Sequence, residues 1–227
     1  MMDTTYKEAF TRNIGAVDEA EQEVLKKSRV FIAGAGGLGG YIAELIARLG
    51  VGGITVCDKG TFEPTNLNRQ LLCTTDTLNK PKSEAAKARA ELINPDINFT
   101  AIHEELTAEN ARDLIKGSDI VIDAVDNIQT RLVLEAAAEE LNIPLIMGAV
   151  NRWSGQVSAV FPGDRTVSKL MKSCAGEKLP PVLCFAVCTT AALEVAEACK
   201  VLLDKPTLRK KVLAFDLEEG YFEILEV

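Results

Sequence analysis

The sequence Gly34-Ala35-Gly36-Gly37-Leu38-Gly39 stands between an apolar run, Arg29-Val30-Phe31-Ile32-Ala33, and a stretch from Leu38 to Leu49 with helical composition that stops at Gly50. A buried strand, a glycine turn and a helix in that order predict the opening of a βαβ unit, and Gly53-Ile54-Thr55-Val56-Cys57-Asp58 supplies the second strand. Glycines at such a turn let the backbone approach a phosphate, and the first amides of the helix present N–H groups to an anion. Gly34, Gly36, Gly37 and Gly39 are therefore candidate nucleotide contacts, and Asp58 ends the second strand where a ribose-binding acid belongs. A nicotinamide, a flavin or an adenylate would all fit this turn. An unliganded tight turn is the plain alternative.

The rest of the chain continues the alternation. Val17, Ala20, Val24 and Leu25 fall at helical spacing before the first strand. After a loop from Lys59 to Pro81, the sequence predicts a helix over 82–93, a strand over 97–102 and a helix from an N-cap at Thr107 to Lys116. It then predicts a strand at Ile120-Val121-Ile122-Asp123, a helix over 129–141 and a strand at Leu145-Ile146-Met147. Gln156 to Phe161 reads as a strand, Pro162 to Pro181 as loop-rich and Phe185 to Leu203 as one long apolar helix. A final hairpin, 211–216 and 221–227, is framed on Glu218-Glu219-Gly220. The expected fold is α/β: a Rossmann-like, mostly parallel sheet with helices on both faces, extended by antiparallel C-terminal strands. With 227 residues and no repeat or clear linker, one domain over 1–227 is expected.

Composition excludes several classes. Lys plus Arg number 25 against 33 Asp plus Glu, a formal charge of -8 that disfavours non-specific binding to nucleic acid or anionic membrane. No apolar run is long enough to span a bilayer, and the N-terminal residues lack a signal-peptide core, so a cytoplasmic location is expected. His103 is the one histidine and reads as surface, which leaves no Ser-His-Asp arrangement. Cys184 and Cys188 read as buried small hydrophobes of the long helix.

Two further clusters are more specific. Asn66, Arg69 and Lys82 gather beyond the second strand in Asn66-Leu67-Asn68-Arg69-Gln70 and Lys80-Pro81-Lys82. A dehydrogenase has no use for them, whereas a triphosphate does, because Arg offers a planar fork and Lys a compact charge. Lys82 in the first turn of a helix opposes the macrodipole, a conflict that a phosphate nearby would remove. Asp123-Ala124-Val125-Asp126-Asn127 leaves the fourth strand at the edge where open α/β sheets bind ligands. Asp126 there is a candidate Mg²⁺ ligand facing a triphosphate, with helix capping as the alternative for either aspartate.

Taken in order, the glycine turn, Asn66-Leu67-Asn68-Arg69-Gln70, Lys80-Pro81-Lys82, Ile93-Asn94-Pro95, Asp123-Ala124-Val125-Asp126-Asn127 and Gly148-Ala149 resemble the ThiF/MoeB/HesA family of adenylyltransferases related to ubiquitin-activating enzymes. The resemblance runs from about Arg12 to Gln156, with a weaker match at Glu197-Ala198-Cys199-Lys200. It implies ATP- and Mg²⁺-dependent adenylation of the C-terminal Gly-Gly carboxylate of a small ubiquitin-like sulfur-carrier protein, of the thiamine or molybdopterin type. By motif position, Gly37 would lie against the phosphates, Asp58 would hold the ribose, Asn66, Arg69 and Lys82 would contact the phosphates, and Asp126 would bind Mg²⁺. Arg12 resembles the family arginine that reaches into a partner subunit's site, which implies a homodimer with composite sites.

The chain departs from the family pattern where many members carry two Cys-x-x-Cys zinc pairs: it has none, and Gly163-Asp164-Arg165-Thr166-Val167-Ser168-Lys169-Leu170 stands where the first would fall. No structural zinc is expected. Cys174, flanked in sequence by Lys172 and Lys178, lies about where some members use a reactive cysteine, and an idle thiol is the alternative. Competing functions are a tRNA threonylcarbamoyladenosine dehydratase-like enzyme, which needs a basic RNA-binding face, a nicotinamide oxidoreductase, which leaves Asn66, Arg69 and Lys82 unexplained, and a non-catalytic scaffold.

Overall fold

A computed structural model describes residues 4–171 and 180–227. Its strands form an eight-stranded sheet in the order β3-β2-β1-β4-β5-β6-β7-β8. The strands are β1 (Arg29–Ala33), β2 (Gly53–Cys57), β3 (Asn98–Ile102), β4 (Ile120–Asp123), β5 (Leu145–Asn151), β6 (Ser154–Val160), β7 (Lys211–Asp216) and β8 (Tyr221–Glu226). The first five run parallel. The last three join antiparallel, as the sequence predicts.

Helices cover both faces. On one side α3 (Gly37–Arg48), α4 (Lys82–Ile93) and α8 (Cys184–Leu202) enclose a core of Ile32, Ile42, Ile46, Ile122, Ile146 and Val187. On the other, α5 (Ala111–Ile115), α6 (Ile128–Leu141) and α7 (Thr166–Met171) close over Phe31, Val121, Leu134 and Met147. The side chains of β1 alternate between the two cores, so a continuous apolar run is what a strand covered on both faces requires. No helix among the described residues is long and apolar enough to cross a membrane.

Several elements differ from expectation for local reasons. The fifth helix begins at Ala111, not at an N-cap Thr107, because residues 107–110 close a turn in which the Thr107 N–H donates to Asn110 Oδ1 (2.8 Å). Strand β5 runs on to Asn151, four residues beyond Met147, because a tight reversal at Arg152 (φ 55°) lets it pair with β6 along its whole length. The loop-rich 162–181 stretch also contains α7, whose first amides are held by Glu135: Val167 N–H and Ser168 N–H donate to its two oxygens at 2.7 and 3.0 Å. Cys184 is exposed and Cys188 half-buried, not core residues, because the face of α8 that enters the core runs through Ala186, Val187, Thr190 and Ala191, and the two cysteines, four residues apart, lie off it.

The N-terminal segment, α1 (Thr4–Ala9) and α2 (Glu19–Lys27), docks on the C-terminal end of α3. Asp18 and Glu21 form a reciprocal capping box at the start of α2. Tyr6 Oη donates to the Gly50 carbonyl, and Asn13 Nδ2 donates to the Leu49 carbonyl (3.3 Å).

Candidate functional site

Strand register places the candidate residues. Ala33 is level with Cys57 and with Asp123, so β1, β2 and β4 end in one row, and β5 passes through it at Met147. The glycine turn, Asp58 and the 124–127 loop follow directly at that carboxyl edge, and Gly148 lies one residue beyond it within β5.

Gly34 has φ 97°, and a Cβ there would lie 2.7 Å from the Ala124 carbonyl oxygen, so the turn needs glycine for both its dihedral and its closeness to the next loop. A Cβ on Gly39 would overlap the Gly34 carbonyl. Helix α3 thus starts hard against the end of β1, with its first amides lacking intrahelical acceptors. Asp58 is bound into this turn: Ala35 N–H donates to Oδ2 (2.7 Å) and Gly60 N–H to Oδ1 (2.6 Å). Each oxygen keeps a lone pair for a further donor. His103 is exposed, as expected, and its Nδ1 lies 3.2 Å from the Asp58 carbonyl oxygen.

The segment from 59 to 81 makes a closed excursion. Phe62 is fully buried at its base, Asn79 (φ 64°) turns the chain back, and Lys82 N–H donates to the Gly60 carbonyl (3.0 Å). Lys82 therefore returns to within two residues of Asp58, its Nζ 5.9 Å from the centre of the Phe62 ring. Asn66 is buried, with Oδ1 accepting from Glu63 N–H (3.1 Å). Arg69 is half-buried, its Nη1 donating to the Thr65 carbonyl (3.0 Å) and to Asn68 Oδ1 (2.9 Å).

Asp126 is exposed at the same edge. The capping alternative is excluded for both aspartates, since Asn127 caps α6 by accepting Thr130 N–H (2.8 Å). Asp123 is instead wholly buried and paired with Arg131, Oδ2 to Nη1 2.9 Å. Burial pushes the Asp123 carboxyl above the usual range, and the guanidinium opposes that rise.

Arg12 is not brought into this group. It is exposed in a single 3-10 turn, Thr11–Asn13, whose Asn13 is bonded to the C-terminal end of α3. The glycine turn is at the other end of that helix, about 18 Å away at 1.5 Å per residue.

Three side chains of this region carried no assigned role in the sequence reading. Gln70 is buried against Gly36, its Oε1 without a hydrogen-bond partner among the described residues. Arg131 shares a helix face with Leu134 and Ala138, and that spacing is the signal that could have marked it as buried. Glu194 of α8 is fully buried against Gly148 with neither oxygen hydrogen-bonded among the described residues, and burial, reinforced by Asp123, pushes its carboxyl well above the usual range. Among the described residues, no group of three or more His, Cys, Asp or Glu is arranged to hold a metal ion. Cys174 lies outside the described residues.

Known proteins resemble this chain over most of its length. The chain is 36% identical over 217 residues to the molybdopterin-synthase adenylyltransferase of Haemophilus influenzae, covering 89% of this chain and 88% of that protein. It is 36% identical over 221 residues to a sulfur carrier protein adenylyltransferase of Thermus thermophilus, covering 91% and 81%. Among solved structures, that of E. coli MccB with ATP shares the fold at a TM-score of 0.85 and 21% identity, over 99% of this chain and 73% of that one. The ThiF family model matches residues 10–227, and the chain belongs to the ThiF family.

Proposed function

We propose that this protein is an adenylation domain spanning 1–227 that activates the C-terminal Gly-Gly carboxylate of a small ubiquitin-like sulfur-carrier protein with ATP. The observation that carries the reading is the row of strand ends that sets the glycine turn, Asp58, Lys82 and Asp126 along one edge, in a chain about a third identical to adenylyltransferases of such carriers. The groups at that edge fit a nucleotide: helix amides after Gly36 that lack intrahelical acceptors, spare lone pairs on Asp58 and Gln70 Oε1, which has no partner among the described residues. A nicotinamide enzyme would leave the cationic arm of Arg69 and Lys82 without a task.

In the reaction the carrier carboxylate attacks the α-phosphorus, the bond to the bridging oxygen breaks, and acyl-adenylate and pyrophosphate result. The attacking group is already ionised, so no general base is needed. This chain's part is alignment and charge cancellation. The turn at Gly34, Gly36, Gly37 and Gly39 receives the phosphates on backbone N–H groups, and Asp58 accepts from the ribose. Asn66, Arg69 and Lys82 orient the phosphate oxygens, which Arg69 reaches by exchanging its present acceptors, Thr65 and Asn68. Asp126 is the residue that would hold Mg²⁺, which when bound neutralises charge on the departing pyrophosphate.

Arg12 completes the site from a second copy of the chain. Its exposure at the far end of α3 supports a role outside its own nucleotide edge. Mixing Arg12→Ala and Lys82→Ala proteins, each inactive alone, should restore part of the activity, because a mixed dimer holds one intact site. A monomer by light scattering at assay concentration rules the shared site out.

The test of the reaction is exchange of labelled pyrophosphate into ATP, with carriers ending in Gly-Gly and with the same carriers lacking the last two residues. Exchange should require the intact tail. Stoichiometric binding of NAD with no binding of ATP would return the site to redox chemistry.

A further inference from the structure

We infer that Arg131 is the positioning residue of the Asp126 loop, a role resting on the reading of Asp126 as a cation ligand. Arg131 lies inside the molecule, and its guanidinium holds three separate groups. Nη1 donates to Asp123 Oδ2 (2.9 Å) and to the Gly148 carbonyl (2.7 Å), and Nη2 donates to the Val125 carbonyl (2.7 Å). Asp123 completes the grip, because its other oxygen accepts Val125 N–H at 3.2 Å. Both peptide groups of Val125 are therefore fixed by one buried ion pair. On the other side, Asn127 is fixed as the cap of α6.

Asp126, between these two anchors, has an exposed side chain on an immobilised backbone. The Ala124 N–H donates to the Ala33 carbonyl (2.9 Å), and the Ala124 carbonyl lies against Gly34, so the clamp also sets the distance from the Asp126 loop to the glycine turn. A planar guanidinium can reach the end of β4, the middle of β5 and the loop at once, which a lysine ammonium on its flexible stem cannot. A buried ion pair by itself is a poor stabiliser. What this one supplies is geometry: it ties the end of β4, the middle of β5 and the loop to one rigid fork.

The test compares Arg131→Lys, Asp126→Asn and wild type by amide hydrogen exchange of the 123–128 segment, by Mn²⁺ binding to the protein–ATP complex using electron paramagnetic resonance, and by steady-state kinetics. Arg131→Lys should loosen exchange protection in 123–128 selectively and weaken Mn²⁺ binding by roughly 10–100-fold, as loss of an outer-shell partner does, with KM for the carrier unchanged. Asp126→Asn should lose Mn²⁺ affinity with loop protection intact. Wild-type protection and Mn²⁺ affinity in Arg131→Lys would overturn the inference, as would uniform loosening of the whole sheet. If Asp126→Asn binds Mn²⁺ as wild type does, the metal reading of Asp126 fails, while the exchange arm still decides whether Arg131 holds the loop. Should Arg131→Lys not fold, Asp123→Asn, which keeps the shape and removes the charge that holds Arg131, is measured in the same way.

Discussion

The two halves of the sheet obey different rules. In the parallel half, β4 is buried at all four residues and β1 at all but its first. In the antiparallel half, β8 is exposed at every position, and Tyr221, Phe222, Ile224 and Leu225 stand half in solvent. What holds β8 is its pairing to β7 and the stacking of Phe222 on Phe215, ring centres 5.4 Å apart. Glu223 and Glu226 place charge on that edge, which discourages pairing with a further strand. The parallel half carries the candidate site because its strands end in a row and its loops are fixed by buried groups. The outer half widens the sheet without tightening the site.

That contrast makes graded predictions. The largest effect should come from Asp126→Ala. If the exposed aspartate acts on charge developing at the pyrophosphate, exchange into ATP should fall on the order of 10²–10³-fold. Its melting temperature should stay at the wild-type value, since nothing in the core rests on that side chain. Equal exchange in both proteins would remove Asp126 from the site.

Next is Gly39→Ala in the tightest part of the parallel half. The added methyl meets the Gly34 carbonyl, which is backbone at a strand end and cannot step aside. Denaturant unfolding should show a loss of about 1–3 kcal/mol, or a failure to fold. An unchanged midpoint would mean that the turn is looser than described.

A subtler test uses the seam between the halves, where Glu194 is buried against Gly148. Its carboxyl sits well above the usual value near 4.5 because burial penalises the charge. The folded state therefore keeps a proton that the unfolded state has released. Stability from this residue is whole below about that value and falls as pH rises toward the raised folded one. Glu194→Gln removes the titration, so the melting temperature of wild type should decline relative to the variant from about pH 5 upward. Parallel profiles would show that Glu194 is ionised and partnered in the folded protein.

The smallest effect is expected at the outer edge. Ile224→Thr, on a side chain 57% exposed, should change stability by no more than about 0.5 kcal/mol. A loss as large as that of Gly39→Ala would mean that β8 is covered by something in solution, and the comparison between the halves would then fail.

Local pattern determined a good part of this protein. Apolar runs at β1, β2 and β4, the glycines between β1 and α3, and the order of the later motifs were sufficient for the parallel core, for the antiparallel extension and for the row of strand ends, because period, turn chemistry and chain order are properties of neighbouring residues. Tertiary structure alone decided which of two aspartates three residues apart is exposed, since Asp123 and Asp126 are the same residue type until Arg131 arrives from the next helix to bury one of them. It also decided that the polar stretch before Lys82 folds back on Gly60, that Gln70 points at the glycine turn, and that Glu194 ends beside Gly148. Each of these depends on a contact between segments far apart in the chain, and a sequence read along its length carries no distance between them.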